Sequence, residues 1–304
     1  MDSMSAPRPA PPSFAKPLYL LSAAFFFIFM GAGAQQAYLV PYLQDVAGWT
    51  RLQASTVVAC VYFSMVLFRP ANLYLFSSWS DRRFTMVGSL TYLWFTISML
   101  LTAYLKSYPL ALASAWLWGA GAAMMWTGTT MQTLALADEA GGRHGTGMGI
   151  LYSSTHAGWM SGAILLGKVY EAGGGSQTPM LYIVATGITL IGIGFAFALP
   201  PTPGTPRQVP SFRNMLAVML RRNEAIACVL QFTSALAYGL ILGLFTSYVG
   251  EVHGREWVWI SVALYPATRM VISFERRIRL DSVTCLPRGH RNFSLSIPRS
   301  SGAL

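Results

Sequence analysis

The sequence has few charged residues. Asp, Glu, Lys and Arg make up 11% of its 304 residues, whereas about a quarter is usual in soluble domains. Hydrophobic residues make up 54%, so a soluble protein of this length would lack the polar groups needed to cover its surface. The composition excludes an ordinary soluble domain and indicates a membrane protein.

Motifs of enzymes and metal centres are also absent. The chain contains no H-E-x-x-H, no G-x-S-x-G and no P-loop pattern, and its four histidines are scattered. Its three cysteines lack the spacing of metal ligands or of a redox pair. The adjacent Asp138 and Glu139 lie at a predicted helix end, where solvation is expected rather than catalysis. We therefore predict a protein that is not an enzyme, with no catalytic residue, no metal site and no cofactor.

The net charge of +10 invites a nucleic-acid interpretation, but the basic residues form short clusters between apolar segments. Cations beside membrane helices set the orientation of those helices, so we expect a lipid bilayer and no nucleic acid as partner. One side of the predicted topology carries most cations: Arg8, Lys16, Arg82, Arg83, Arg143, Arg207, Arg213, Arg221 and Arg222. The other side carries Arg51, Lys106, Lys168 and Arg255. The richer side is predicted to be cytoplasmic, which places both termini inside, in a multi-pass protein of the plasma (inner) membrane.

Eight apolar segments can each supply the ~20 helical residues that cross about 30 Å of hydrocarbon. They are residues 18–40, 55–76, 85–104, a stretch within 109–136, and residues 146–169, 180–199, 225–249 and about 257–274. The predicted fold is all-α and polytopic. It consists of a six-helix bundle over residues 18–199 and an incomplete second bundle of two spans over residues 225–274.

Three segments do not resemble spans. Residues 1–17 are predicted to form a disordered cytoplasmic tail, and residues 200–224, rich in Pro and Arg, a cytoplasmic linker in which helix is broken. Residues 275–304 are rich in Arg and Ser and contain no apolar run of crossing length, so we predict a disordered tail. A break in composition in the middle of an architecture is typical of an altered reading frame; a regulatory tail is the alternative.

Two pairs of similar features indicate an internal repeat. Residues 42–48 (Y-L-Q-D-V-A-G) resemble residues 248–254 (Y-V-G-E-V-H-G). Arg69 lies twelve residues before Asp81, as Arg269 does before Asp281. Spans seven and eight are therefore predicted to restart the pattern of spans one and two, as in transporters with duplicated bundles.

The loop between spans two and three carries the strongest motif. Residues 77–84 (S-S-W-S-D-R-R-F) resemble the G-x-L-x-D-R-x-G-R-R/K loop of the major facilitator superfamily, with Asp81 and Arg82 matching. The loop at residues 143–149 (R-H-G-T-G-M-G) resembles the R-G-x-x-x-G pattern that starts the fifth span of that family. Three departures stand out: span four has no arginine, the antiporter pattern of span five is reduced to Gly158-x-x-x-Gly162, and the family has twelve spans.

The resemblance implies which residues meet a solute. In that family spans one, four and seven line a central cavity, which makes the polar and aromatic residues of these spans the candidates for binding. They are Gln35, Gln36, Trp126, Thr127, Thr130, Gln231 and Tyr238. The alternative role for such residues is interhelical hydrogen bonding, worth about 0.6 kcal/mol each. The resemblance also implies that Asp81, Arg82 and Arg83 gate the cytoplasmic side.

Two further residues are candidates because of their depth in a span. Arg69 is ~12 Å from the cytoplasmic end, where it could bind an anionic substrate or a coupling carboxylate, or could instead extend to the headgroups. His156 could relay protons, because histidine titrates near neutrality, or could make a packing hydrogen bond.

Two hypotheses of function follow. The first is transport of a small polar or anionic solute by alternating access, with an oligomer or a second chain supplying the rest of the cavity. The second is a truncated or frame-shifted fragment that inserts into the membrane without transporting.

Overall fold

The computed structural model describes residues 15–140, 142–172, 179–200, 211–222, 224–226, 228–230, 233, 245–254 and 257–283. Within these ranges the chain is helical apart from short connections, and it contains no strand. The helices are α1 (Ala15–Ile28), α2 (Gln36–Ala47), α3 (Arg51–Leu75), α4 (Asp81–Leu105), α5 (Tyr108–Glu139), α6 (His144–Ala172), α7 (Met180–Phe197), α8 (Phe212–Met219), α9 (Thr246–Val252) and α10 (Val258–Val283). The predicted all-α fold is confirmed.

Helix length and apolarity support a polytopic membrane protein. Among the described residues, Lys16–Ala47, Arg51–Leu75, Asp81–Leu105 and Met180–Phe197 are long and apolar enough to cross a bilayer. They coincide with predicted spans one, two, three and six. Spans four and five coincide with α5 and α6, which are 32 and 29 residues long. Span eight lies within α10, and most of span seven lies outside the described residues.

The first span differs from its prediction in two ways. A π-helical turn, Phe29–Gly33, joins α1 to α2, and the helix then continues through Pro41 to Ala47. Membrane helices tolerate proline, so the helix extends beyond residue 40, where the predicted span ends. Asp45 lies on the last turn of α2, which ends at Gly48 with a left-handed φ of 72°.

The π-helical turn forms where α7 presses against the first span. The Ala32 N–H donates to Thr189 Oγ1 at 2.9 Å, and a Cβ on Gly31 would lie 2.5 Å from the Ala185 backbone oxygen. A side chain that inserts into the backbone ladder opens an α-helix locally, and single π turns are frequent at functional sites. The turn therefore depends on a contact between residues far apart in the chain.

The first span also packs closely on α6. A Cβ on Gly158 would lie 2.8 Å from the backbone carbon of Phe26, and a Cβ on Gly162 would lie 2.7 Å from that of Met30. These two glycines let the helix backbones approach closely. Helices α4 and α7 pack together, α5 packs on α3 and α4, and α10 lies against α6.

The linker and the tail contain more helix than the sequence suggested. Helix α8 forms inside the predicted linker, and its N-cap Ser211 accepts a hydrogen bond from the Asn214 backbone N–H at 3.3 Å. Helix α10 continues beyond Phe274 to Val283, so disorder from residue 275 is wrong for the first part of the tail. No proline interrupts this stretch before Pro287, which lets the helix of span eight propagate. Residues 1–14, 201–210 and 284–304 lie outside the described residues.

The two repeat segments adopt the same local structure. Gly48 follows the end of α2 with φ 72°, and Gly254 follows the end of α9 with φ 94°. Tyr42 and Tyr248 each precede their glycine by six residues. A helix end closed by a left-handed glycine at matching positions agrees with the predicted restart of the pattern in span seven.

Candidate functional site

Aromatic rings from three spans form a continuous stack inside the bundle. The Trp126 ring of α5 contacts Phe25 and Phe29 of the first span edge to face, with centroids 5.3 and 5.4 Å apart. On its other side Trp126 stacks on Tyr152 of α6 at 5.8 Å, and Tyr152 stacks on His156 at 6.4 Å. We call these five residues the aromatic ladder. Phe25 and Phe29 are buried, Trp126 and His156 are half-buried, and Tyr152 is 37% exposed, so the ladder is accessible at Tyr152.

His156 lies where α6 meets α10. The Nδ1 atom of His156 is buried and has no hydrogen-bond partner among the described residues, so the packing hydrogen bond considered from the sequence is not seen at this atom. Arg269 of α10 lies within electrostatic range of the imidazole, and its guanidinium lies 5.3 Å from the centre of the Tyr265 ring. Arg269 thus faces α6.

The two glutamines of the first span make interhelical hydrogen bonds. Gln35 is fully buried; its side chain donates to the Ala32 oxygen at 3.0 Å and accepts from the Tyr182 hydroxyl at 2.6 Å. The half-buried Gln36 accepts from the Tyr62 hydroxyl at 2.6 Å. Gln35 therefore fixes the π-helical turn against α7, whereas Gln36 joins α2 to α3. Both contacts correspond to the alternative role given above, and solute binding by these residues stays a prediction.

The other predicted binding residues are dispersed. Thr127 and Thr130 are half-buried next to Trp126, and the Thr127 hydroxyl donates to the Ala123 oxygen of its own helix at 2.8 Å. Arg69 is exposed on α3 and does not join the ladder. Gln231 and Tyr238 lie outside the described residues.

The motif of residues 77–84, called the cytoplasmic motif after its predicted side, is more compact than a loop. Ser80 caps α4, with its hydroxyl accepting from the Arg83 N–H at 3.3 Å, so Asp81 and the two arginines form the first helical turn. An acidic residue in a first turn interacts favourably with the helix dipole. Arg82 donates to the Phe197 oxygen at 2.9 Å, whereas Arg83 is exposed. The three predicted gating residues are therefore together, and Arg82 reaches the end of α7.

A buried glutamine of α5 joins that helix to the motif. Gln132 Nε2 of α5 donates to Thr85 Oγ1 at 2.6 Å and to the Asp81 backbone oxygen at 3.2 Å. The Thr85 hydroxyl lies 3.3 Å from that of Thr129. This buried network joins the motif to α5 through neutral groups.

Two tyrosines form hydrogen bonds between the first span and α6. The Tyr170 hydroxyl of α6 donates to the Asp45 carboxylate of α2, and the Tyr38 hydroxyl donates to the Ala163 oxygen at 2.6 Å. Sequence reasoning missed these residues, Gln132 and Tyr152, because each depends on a partner in another span. Only the spacing of Tyr152 four residues before His156, on one helical face, could have indicated a stacked pair.

The site can be compared with known proteins at this point. A sequence model of the Major Facilitator Superfamily matches residues 21–275. The chain belongs to this superfamily. The match begins in α1, ends in α10 and includes the aromatic ladder, the cytoplasmic motif and Arg269. None of the curated proteins searched matches the chain.

Membership of the Major Facilitator Superfamily, together with the apolar helices, makes the chain an integral multi-pass membrane protein of a transporter family. The resemblance stated from residues 77–84 and 143–149 is confirmed by this match. Membrane transport is thus the general function of the family to which the fold belongs.

Proposed function

We propose that the chain acts in the transport of a small solute by alternating access, as a secondary transporter, and that the solute contacts the aromatic ladder. The observation that carries this proposal is the position of Trp126. It is half-buried between the first span and α6, in contact with three rings. Small-molecule sites are mostly apolar and aromatic, with a few polar groups that orient the ligand. Here Thr130, Gln36 and His156 are the proposed polar groups.

Alternating access requires a second set of helices opposite the first bundle. Helix α10 already lies against α6 on the side of His156. We infer that an oligomer or a second chain completes the cavity, with both termini of this chain in the cytoplasm and the protein in the plasma membrane. Arg69, Gln231 and Tyr238 stay proposed solute contacts in that complete assembly.

Uptake measurements test this proposal. Cells expressing the chain, and proteoliposomes containing the purified protein, would be given a panel of labelled small solutes. Trp126→Ala should reduce uptake at least about tenfold, because a solute that lies on the ladder would lose its largest contact surface. Trp94→Ala is the matched control, since Trp94 on α4 is 43% exposed and outside the ladder.

Two outcomes contradict the proposal. Equal uptake by both tryptophan variants would remove the ladder from the solute path. No uptake of any solute in cells or liposomes, by folded protein, would favour the alternative of a membrane fragment without transport activity.

The cytoplasmic motif is the proposed gate. Charges that approach each other where water is excluded interact more strongly, so Asp81 and its neighbouring arginines can hold helix ends together in one state of the cycle. Asp81→Asn should lower the turnover rate more than the amount of protein in the membrane. Unchanged turnover at equal abundance would argue against a gating role for Asp81, Arg82 and Arg83.

A further inference from the structure

Helix α8, in the predicted linker between spans six and seven, is amphipathic. It places Leu216, Met219 and its C-cap residue Leu220 at positions i, i+3 and i+4, so these apolar side chains share one face. They are 47%, 51% and 71% exposed. Asn214 is also exposed; it lies on nearly the opposite side of the helix, because it is two positions from Leu216 at 3.6 residues per turn. We call Leu216, Met219 and Leu220 the apolar face of α8.

The apolar face requires a surface that covers it. Helix α8 has eight residues, and a helix of this length is marginal in water unless an amphipathic face is packed. Among the described residues, no other helix packs extensively on α8. The stability of α8 therefore depends on a surface other than the described helices.

The chain holds α8 close to the membrane. Its last residue, Met219, lies six residues before Ala225, where predicted span seven begins. Six residues reach at most ~22 Å when fully extended. The connection is shorter than this, because the Ala225 N–H donates to the Arg221 oxygen at 2.7 Å in a helical turn. The bilayer surface is thus within reach of the apolar face.

Three cations lie at the two ends of the apolar face. Arg213 is in the first turn of α8, Arg221 and Arg222 directly follow its C-cap, and all three are exposed. Residues 211–224 contain one acidic residue, Glu224, so the segment is basic. The distribution of Lys and Arg predicts that α8 is cytoplasmic, and the cytoplasmic leaflet is the one with anionic lipids.

The charge of α8 favours a lipid surface over a second copy of the chain. A second copy would meet α8 with the same cation-rich side, and like charges repel. A leaflet with anionic lipids supplies negative charge for the arginines and an acyl boundary for the apolar face. Basic amphipathic helices bind membranes through these two contributions.

We propose that α8 lies flat in the cytoplasmic leaflet, with its apolar face in the acyl boundary and Arg213, Arg221 and Arg222 bound to anionic phospholipid headgroups. Helices of this kind bury their apolar face about 5–10 Å into the boundary. The linker is thereby a binding element for anionic lipid, a role that the transport proposal does not assign to it.

Fluorescent labels on the full chain test the proposal. In a background with the native cysteines replaced, Leu216→Cys and Asn214→Cys would each carry a polarity-sensitive nitrobenzoxadiazole label. The protein would be placed in nanodiscs of phosphatidylcholine alone or mixed with phosphatidylglycerol, with and without a spin-labelled lipid that quenches the dye. With phosphatidylglycerol, the emission at position 216 should shift to shorter wavelength, and its quenching should exceed that at position 214 at least about twofold, because only the apolar face enters the boundary.

Removal of the charges distinguishes anionic lipid binding from insertion alone. The triple variant Arg213→Gln, Arg221→Gln and Arg222→Gln should reduce the shift at position 216 at least about twofold, since each arginine beside an anionic surface contributes about fivefold to binding. Arg143→Gln is the matched control, at an exposed cation on the same predicted side but outside α8. It should leave the shift unchanged, and added salt should weaken the shift in the native sequence.

The other outcomes overturn the proposal. An equal shift in neutral and anionic nanodiscs, or an equal effect of Arg143→Gln and the triple variant, would mean that α8 does not select anionic headgroups. A label at position 216 that stays in water in both lipid mixtures would place α8 away from the bilayer. A shielded label that the spin-labelled lipid does not quench would mean that the apolar face packs on protein, from this chain or a second copy. Each readout is obtained without a solute, so the transport proposal is decided separately by uptake.

Discussion

Arg82 joins the start of α4 to the end of α7, through a hydrogen bond of 2.9 Å from Nη2 to the Phe197 backbone oxygen. The last carbonyl groups of a helix lack partners within it and carry partial negative charge, so a guanidinium is well placed there. The resemblance implied that Asp81, Arg82 and Arg83 gate the cytoplasmic side. The Arg82 partner lies within the first bundle.

Replacement of Arg82 should therefore weaken the first bundle. Arg82→Ala is expected to lower the free energy of unfolding by about 1 kcal/mol, the usual value for one hydrogen bond near a surface. Arg83→Ala is the control, since Arg83 is exposed in the same helical turn. Thermal unfolding of the purified protein in detergent would measure both, and equal midpoints would show that the contact with Phe197 is not stabilising.

Gln132 offers a second test, at the buried side of the same motif. Gln132→Leu keeps the volume but removes the donor to Thr85 and Asp81, leaving buried oxygens without that partner. We expect a loss of about 1–3 kcal/mol in the free energy of unfolding. Thr127→Val on the same helix should change stability far less, because its hydroxyl bonds only within its own helix. A loss no larger in Gln132→Leu than in Thr127→Val would contradict a structural role for this network.

The spans could be predicted from the sequence because crossing length and apolarity are local properties. The motif around Asp81 could be recognised for the same reason, since all its residues are neighbours in the sequence. The π-helical turn could not, because it requires Thr189 to reach Ala32 across 157 residues. The family resemblance suggested that Gln35 lines the cavity. Its side chain instead accepts a hydrogen bond from Tyr182, which belongs to another span and could not be identified from the sequence.

The candidate site could likewise be predicted from the sequence only in part. Trp126 and His156 stood out in the sequence as polar or aromatic residues within apolar spans. Tyr152, which connects them, did not, because an aromatic residue in a membrane helix is unremarkable without its neighbours. Arg269 was noticed only for its spacing from Asp281, because its position near His156 depends on the packing of α10 on α6, which only the tertiary structure gives.

Gly31 should tolerate no side chain. A Cβ there would lie 2.5 Å from the Ala185 oxygen and 2.9 Å from the Thr189 nitrogen, both backbone atoms that cannot move independently. Gly31→Ala is therefore expected to cost about 3 kcal/mol or more, at the upper end for overpacking. Gly187→Ala is the matched control on α7, where a Cβ meets nothing within 4 Å, and it should be neutral or up to about 1 kcal/mol stabilising. Equal unfolding midpoints for the two variants would refute the close approach of α7 to the first span.

The orientation of the chain can be tested at the two ends of α5. Lys106 precedes this helix and Arg143 follows it, so a helix that crosses the membrane places them on opposite sides. The distribution of Lys and Arg predicts that Lys106 is outside and Arg143 in the cytoplasm. In a background with the native cysteines replaced, Lys106→Cys should react in intact cells with a maleimide that does not cross membranes. Arg143→Cys should react only after the cells are permeabilised. Labelling of Arg143→Cys from outside would reverse the predicted topology, and would place the Arg82 contact with Phe197 at the extracellular end of the bundle.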